Sequence, residues 1–256
     1  MNNIPISNKI PELDLAIKAA EEAGNTILKI YEKDFKTFTK TDNSPVTDAD
    51  LQSNKIIKEI LSVTKHSILS EEDVDDKNRL SNDMIWIIDP LDGTSDFIDK
   101  TGEFTVMIAL VENQKPILGV IAWPTEKTLF VAQKNAGAFR YSDNKWEKIS
   151  VTKISELPKC RTIGSRHHLS DKEKDFIEKI GIKDFTSIGS SLKVGKISSG
   201  QAEVYITTTN KMKEWDTAAS YCIISEAGGK MTDMLGNELT YNNKNVYHKN
   251  GILVTN

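Results

Sequence analysis

Met84-Ile85-Trp86-Ile87-Ile88-Asp89-Pro90-Leu91-Asp92-Gly93-Thr94 is the stretch on which the reading of this chain turns. Its first five residues are β-branched or large and apolar, the composition of a buried strand. Asp89 and Asp92 then fall where the strand ends and the chain must turn, with Pro90 and Leu91 between them. Gly93 permits a tight turn, and Thr94 presents a hydroxyl just beyond it. Carboxylates crowded in this way repel one another unless a cation lies between them. An oxygen-only donor set at such a turn suits a hard divalent ion such as Mg2+. Taken alone, the stretch reads equally well as a surface turn rich in turn-forming residues.

Other acids lie at similar places. Ser70-Glu71-Glu72-Asp73 follows the short apolar piece Ile68-Leu69, Glu214-Trp215-Asp216-Thr217-Ala218-Ala219 opens an apolar stretch running to Ala227, and Pro45-Val46-Thr47-Asp48-Ala49-Asp50 opens an amphipathic one. In this order, the acidic pair, the Asp-Pro-Leu-Asp-Gly-Thr turn and the Trp-Asp-Thr-Ala-Ala segment resemble the signatures of the inositol monophosphatase-like superfamily of Mg2+-dependent phosphatases. Within it the chain is most similar to the CysQ-type 3'(2'),5'-bisphosphate nucleotidases. That likeness rests on Ile68 to Asp73, Leu91 to Ile98, Gly102-Glu103-Phe104-Thr105-Val106, Gly189-Ser190-Ser191-Leu192-Lys193 and the segment from Glu214, and it extends over nearly the whole chain. Two departures stand out. Ser95-Asp96 occupy the place where the family turn usually has Lys-Glu. Ile206-Thr207 follow Val204-Tyr205 where bacterial members often have Pro-Arg, which leaves one basic contact to the nucleotide without its usual residue.

At 256 residues the chain is long enough for one large or two small domains with real cores. A net charge of -4 gives no electrostatic footprint for a nucleic-acid polymer. Cys160 and Cys222 are too far apart in sequence to suggest a zinc motif or a disulfide framework, and Cys222, inside the apolar run Ala218 to Ile224, reads as a small core residue. Met1 to Ile10 has neither the basic nor the apolar region of a signal peptide. No stretch approaches the ~18 consecutive apolar residues of a transmembrane helix. A reducing cytoplasm is the expected compartment, with peripheral membrane association left open.

Leu13, Ile17, Ala20, Gly24, Ile27 and Tyr31 recur at steps of three and four and predict a long amphipathic helix, with Pro11 suited to its first turn. Lys33 to Lys40 reads as an exposed connection. Pro45 is expected to stop local structure, and Thr47 to cap a second helix carrying Leu51, Ile56, Ile57, Ile60 and Leu61. Strands are predicted over 67–70, 84–88, 104–111, 117–123 and 128–132, with a hairpin turn at Asn113-Gln114-Lys115-Pro116, giving an antiparallel-looking core. After Ser150 the pattern becomes a strand from Arg161 to Ile163, helices from Asp171 to Ile180 and Ser191 to Ser199, a strand from Ala202 to Thr207, and a helix from Trp215 to Ala227 closed by Gly228-Gly229. The expected class is α/β: an α+β half over residues 1–150 carrying most candidate metal ligands, and an α/β half over residues 151–256 carrying Asp216 and the candidate nucleotide contacts. The boundary is placed at 147–158, where charge and Pro158 gather. The resemblance implies a layered α-β-α-β-α sandwich of the sugar-phosphatase type, with the site between the halves.

Uncatalysed hydrolysis of a phosphate monoester is very slow, so most of the help must be electrostatic. By resemblance, Glu71, Asp89 and the Leu91 carbonyl bind one Mg2+, Asp89 bridges to a second, and Asp92 and Asp216 complete that one. The Thr94 hydroxyl would hold the attacking water, and Asp50 would either accept its proton or hold a water of a third, weaker metal. Glu71, Asp92, Gly93, Thr94 and Asp216 would also surround the substrate phosphate. Ser165, His168, Ser190, Ser191 and Lys193 are the candidate nucleotide contacts. Arg166 adds a guanidinium, His168 aligns with the histidine of the family pattern Ser/Thr-Arg-x-His, and Lys211 or Lys213 is a candidate to replace the absent arginine. Plainer readings stand beside these. Asp48, Asp50 and Asp216 are acids favoured by a helix dipole, Trp215 is core packing, Glu72 and Asp73 are solvated acids rather than metal ligands, and 165–168 is a solvated loop.

The implied reaction is hydrolysis of adenosine 3',5'-bisphosphate to AMP and phosphate, with some action on the sulfated analogue, a place in sulfate-assimilation metabolism and sensitivity to Li+. Dimers are common in the superfamily, so a homodimer is open. Two other readings compete: an inositol or sugar monophosphatase with the same metals, against which Gly189-Ser190-Ser191-Leu192-Lys193 argues, and a catalytically inactive ligand-binding relative, against which the full set of ligands argues.

Overall fold

The computed structural model describes residues 4–40 and 45–256. Helix α1 (Pro11–Tyr31) starts with proline in its first turn and buries Leu13, Ala16, Ala20, Ala23 and Ile27 along one stripe. Strand β1 (Thr37–Thr39) pairs antiparallel with β2 (Pro45–Thr47), so the lysine-rich connection contains a strand and Pro45 continues the structure rather than stopping it. A two-stranded ribbon tolerates a residue without an N–H at its end. Thr47 caps α2 (Asp48–Leu61) through a reciprocal box with Asp50.

Next come β3 (Ser67–Ser70), β4 (Met84–Asp92), the short α3 (Thr94–Ile98), β5 (Thr105–Glu112), β6 (Lys115–Trp123), β7 (Thr128–Gln133), β8 (Gly137–Ser142) and β9 (Lys145–Ile149). The seven strands from β3 to β9 form one sheet in sequence order. The pairing is antiparallel except between β3 and β4, which run parallel, contrary to the antiparallel expectation at that edge. Only Asn113 and Gln114 make the β5–β6 turn, both at positive φ, while Lys115 and Pro116 already belong to β6. The β8–β9 hairpin escaped the sequence reading because β9, Lys-Trp-Glu-Lys-Ile, is a largely exposed edge strand without apolar alternation. Asp143-Asn144, both at positive φ, were its turn signal.

The second sheet is built from β10 (Arg161–Ser165), β11 (Asp184–Ile188), β12 (Val204–Thr207), β13 (Lys230–Thr232) and β14 (Ile252–Thr255), interleaved with α4 (Asp171–Lys179), α5 (Leu192–Ser198) and α6 (Glu214–Glu226). Its order is β11-β10-β12-β14-β13, with β10 parallel to both neighbours and β14 antiparallel to β12 and β13. β11, β13 and β14 are additions to the expected elements.

Burial on both faces explains why the strands read as continuous apolar runs. Along β5, Val106, Ile108 and Leu110 enter the core shared with α1, whereas Met107, Ala109 and Val111 enter the core shared with α6. Helix α6 lies against β5 and β6 on one side and α5 on the other, so it is apolar around most of its circumference rather than amphipathic. Beyond the second sheet, Ile177 of α4 packs with Ile182, Val204 and Ile206. The layers are therefore α1 and α2, the seven-stranded sheet, α5 and α6, the five-stranded sheet, and α4: the α/β sandwich expected. Among the described residues no helix is long and apolar enough to cross a membrane.

The central layer should be the most costly place to open a cavity. Ile223 is fully buried in the core that joins the two sheets. Ile223→Ala should lower the free energy of unfolding by about 2–5 kcal/mol. Urea titration followed by tryptophan fluorescence measures this, and a loss below about 1 kcal/mol would mean that the layer collapses around the gap.

Candidate metal and phosphate site

Parallel pairing of β3 and β4 brings their ends to one edge. Ser70 lies opposite Ile88, and the Glu71 N–H donates to the Ile88 carbonyl at 3.3 Å, so Glu71 emerges beside Asp89. The β4–β5 ladder then shifts register between Asp89 and Asp92, at Pro90-Leu91. The Pro90 carbonyl accepts from the Ser53 hydroxyl at 2.7 Å, and the Leu91 N–H donates to Asp89 Oδ1 at 3.1 Å. Leu91 can be apolar because its side chain enters the core shared with α1. Gly93 stands at φ 91°, a left-handed conformation that suits glycine.

Asp216 arrives from elsewhere, in the first turn of α6, where its Oδ2 accepts from the Lys213 N–H at 2.7 Å. The α6 N-terminus is fixed by the buried Glu214, which accepts from the backbone N–H groups of Asn242 and Asn243 at 2.7 and 2.9 Å. One oxygen each of Glu71, Asp89 and Asp216 lies within 4.8 Å of the others. Burial, then the charges of Glu71, Asp92 and Asp216, push the Asp89 carboxyl well above the ordinary range. Burial and the charge of Glu71 do the same to Asp216. An all-oxygen cluster whose members resist ionising together fits a hard divalent cation.

Asp50 and Thr94 meet. The Thr94 hydroxyl donates to Asp50 Oδ1 at 3.0 Å and lies 3.3 Å from the Leu91 carbonyl. Asp50 Oδ2 accepts from the Thr47 N–H and hydroxyl at 2.8 and 2.6 Å. Burial raises the Asp50 carboxyl despite these donors.

Asp92 faces the second half of the chain. Its Oδ2 accepts from the Ser191 N–H and lies 3.3 Å from the Thr105 hydroxyl, which in turn is 2.7 Å from the Ser191 hydroxyl. It is not part of the Glu71–Asp89–Asp216 cluster. Burial raises the Asp92 carboxyl, with Lys193 and the Ser191 N–H acting against the rise. Ser190 adopts a left-handed conformation, and its carbonyl accepts from the Lys193 ammonium, which is itself buried. The Ser165 hydroxyl accepts from the His168 N–H at 3.2 Å, closing that loop. Partial burial, then the neighbouring His167, Lys193 and Lys211, depress the His168 pKa. An acidic wall formed by the turn residues thus faces a cationic wall formed by the 190–193 loop across the Asp92–Ser191 contact.

The chain is similar to known proteins over nearly its whole length. The family model described as "Inositol monophosphatase family" matches residues 10–255. The chain belongs to the inositol monophosphatase family. The 3'(2'),5'-bisphosphate nucleotidase CysQ of Escherichia coli is 34% identical over 252 residues, covering 95% of this chain and 99% of that one. Among solved structures, CysQ from Bacteroides thetaiotaomicron superposes with a TM-score of 0.84 at 34% identity, covering 95% of this chain and 96% of that one. The Thermotoga maritima IMPase superposes with a TM-score of 0.82 at 27% identity, covering 96% and 92%.

Contacts in the structure change several of the plainer readings. Glu72 and Asp73 are not simply solvated. The Glu72 side chain is only 4% exposed and pairs with Lys40 at 2.6 Å, and Asp73 accepts from Asn54 at 3.0 Å and Lys58 at 2.6 Å. Burial pushes the Glu72 carboxyl up to about 7 against the pull of Lys40. Lys40 also reaches Glu71 at 3.2 Å. Burial opposes its charge, but the two glutamates outweigh that and raise its pKa. The loop 165–168 is not simply solvated either, since Arg166 and His167 pair with acids of the first half of the chain. Lys213 lies over the rings of Trp215 and Tyr247, whereas Lys211 is the lysine near His168. Trp215 is core, as expected, although its indole N–H is buried without a partner. Thr105, missed as an individual residue, lay inside the quoted Gly-Glu-Phe-Thr-Val segment.

The crowded carboxylates make the metal-free protein pH-sensitive. Because the folded-state pKa of Asp89 is raised, its favourable contribution is complete below the ordinary carboxylate pKa and is lost as pH rises through the folded value. Asp89→Asn removes that loss. The metal-free variant should therefore gain in melting temperature relative to metal-free wild type between pH 5 and pH 8. His248, held down to about 4 by burial, runs the other way but is common to both proteins. Excess Mg2+ should raise the wild type and leave the variant nearly unmoved. Melting curves at the two pH values test this, and a constant difference would mean that Asp89 is not electrostatically strained.

Proposed function

We propose that this chain is a Mg2+-dependent phosphatase that hydrolyses adenosine 3',5'-bisphosphate to AMP and phosphate, and acts on the sulfated analogue, in the cytoplasm. The observation that carries this reading is the meeting of Glu71, Asp89 and Asp216 next to the hydrogen-bonded Asp50–Thr94 pair. The names of the 34%-identical relatives support the nucleotide over an inositol phosphate as substrate.

Glu71, Asp89, the Leu91 carbonyl, Asp92 and Asp216 would hold two or three Mg2+ ions, which supply charge neutralisation, a more acidic water and stabilisation of the departing oxygen. The chain's own residues then manage position and protons. The Thr94 hydroxyl donates to Asp50, so its lone pairs face an incoming water. As the water oxygen bonds to phosphorus, its proton passes to Thr94 while the Thr94 proton passes to Asp50. The bond from phosphorus to the ribose oxygen breaks, that oxygen takes a proton from a solvent water, and Asp50 returns the proton it accepted to solvent. Burial raises the proton affinity of Asp50, which suits an acceptor. Ser165, His168, Ser190, Ser191 and Lys193 hold the phosphate that is not cleaved, with Lys211 standing in for the absent arginine. Residues 1–150 would thus carry most of the chemistry, and residues 151–256 the selection.

Phosphate release should require Mg2+ and stop on chelation. Asp92→Asn should abolish turnover, and a rate like that of the wild type would remove Asp92 from the metal set. Thr94→Ala should lower kcat far more than it raises KM. A change in KM alone would make Thr94 a binding group.

Lys193→Ala separates nucleotide recognition from hydrolysis. A charge-assisted hydrogen bond to phosphate is worth roughly 1.5–3 kcal/mol, so kcat/KM for adenosine 3',5'-bisphosphate should fall about tenfold to a hundredfold. The value for inositol 1-phosphate should hardly change. Equal losses would mean that Lys193 supports the fold or the metals, and a wild type that prefers inositol 1-phosphate would overturn the nucleotide reading.

A further inference from the structure

Asp96 sits on α3, immediately after the metal turn, and its side chain is only 3% exposed. Its Oδ1 lies 3.2 Å from Arg166 Nε and 3.3 Å from His167 Nε2, and accepts from the Thr101 hydroxyl at 2.9 Å. Glu103 Oε2 accepts from a second arm of Arg166 and from the Gly189 N–H at 2.7 Å. Arg166 therefore grips two acids of the first half of the chain, and both loops of the cationic wall are tied to them. The fit is close. A Cβ on residue 189 would lie 2.4 Å from Asp96 Oδ2 and 2.8 Å from the Glu103 carbonyl oxygen, and one on Gly93 would lie 3.1 Å from Ser190 Cβ. Nε and one terminal nitrogen of Arg166 are thus engaged by these two acids.

We propose that Asp96, Glu103, Arg166 and His167 form an ionic clasp that determines specificity by fixing loops 165–168 and 189–193 at a set distance from the metal turn, so that substrates carrying two phosphates are favoured. The inference rests on the nucleotide reading above and adds positioning residues to it. A small monophosphate needs only the acidic wall. A bisphosphate must reach that wall and Lys193 together, so its binding depends on the span between them. A displacement of about 1 Å in such an arrangement can cost up to about a hundredfold. Asp96 and Glu103 touch neither the cleaved phosphate nor its metals in this scheme, so they act through the loops they hold.

The test uses the Mg2+-loaded enzyme and the variants Asp96→Asn, Glu103→Gln, Arg166→Met and the double variant Glu103→Gln/Arg166→Met. Each single substitution should raise KM for adenosine 3',5'-bisphosphate and lower its kcat/KM by about tenfold, while kcat/KM for inositol 1-phosphate stays within about twofold. The double variant should lose no more than the worse single, because both members serve one clasp. Should the buried Asp96→Asn fail to fold, Glu103→Gln, at the partly exposed rim, carries the test. An unchanged ratio of the two substrates in correctly melting variants, equal loss on both, or full additivity in the double variant would each overturn the clasp. In those cases the wild type still prefers the nucleotide and only the inference fails. A wild type without that preference defeats the nucleotide reading and the clasp with it.

Discussion

Mutual repulsion among Glu71, Asp89, Asp92 and Asp216 is the constraint around which the molecule is arranged. Asp89 is almost completely buried, where like charges are expensive. The fold imposes the cluster by geometry that no single segment controls: a parallel β3–β4 edge, a register shift at Pro90-Leu91, and a helix start delivered from the far end of the chain. Because the core fixes those backbones, the acids cannot move apart. The tension is relieved by protons on the carboxyls or by a cation among them.

The helix that brings Asp216 also joins the two sheets. Its interior face holds Ala218, Ala219, Cys222 and Ile223 against both layers, and its start is tied by Glu214 to Asn242 and Asn243. Arg79, itself buried, donates to Asn242 Oδ1 at 2.7 Å and to the Asn243 carbonyl at 2.9 Å, which links that turn back to the approach to β4. Asp216 is thus held relative to Asp89 by side chains and backbone groups far from the site.

What the sequence revealed follows from how local each signal is. The 84–94 turn was legible because an apolar run, a proline, two acids and a glycine all lie within eleven residues. Thr47 as a cap was legible because capping is a matter of three or four positions. Both expected sheets' central strands and all three long helices came through for the same reason. Parallel pairing of β3 with β4 was not legible, since the antiparallel neighbours dominate the pattern and only the connection through α-free residues 71–83 separates the two. β9 and β11 were hidden because exposed edge strands carry polar residues on both faces. The roles of Lys40, Asp96, Glu103 and Thr105 were hidden for another reason. Each acts through a partner more than thirty residues away, and a lone acid, lysine or threonine has no periodic mark.

Asp92 shows how these levels meet. A carboxylate at the end of β4 could belong wholly to the acidic wall, yet its Oδ2 is taken by the Ser191 N–H and approached by Thr105. Lys193, two residues beyond Ser191, partly offsets its charge. The acid therefore joins the cationic loop to the turn that ends β4. The Ser191 N–H bond to Asp92 fixes the start of α5 against the end of β4. Removing that carboxylate would alter the turn and the loop together, whereas Asp96 and Glu103 reach the loops at 166–167 and 189. The division follows from position: Asp92 ends β4, whereas Asp96 lies on α3 and Glu103 precedes β5.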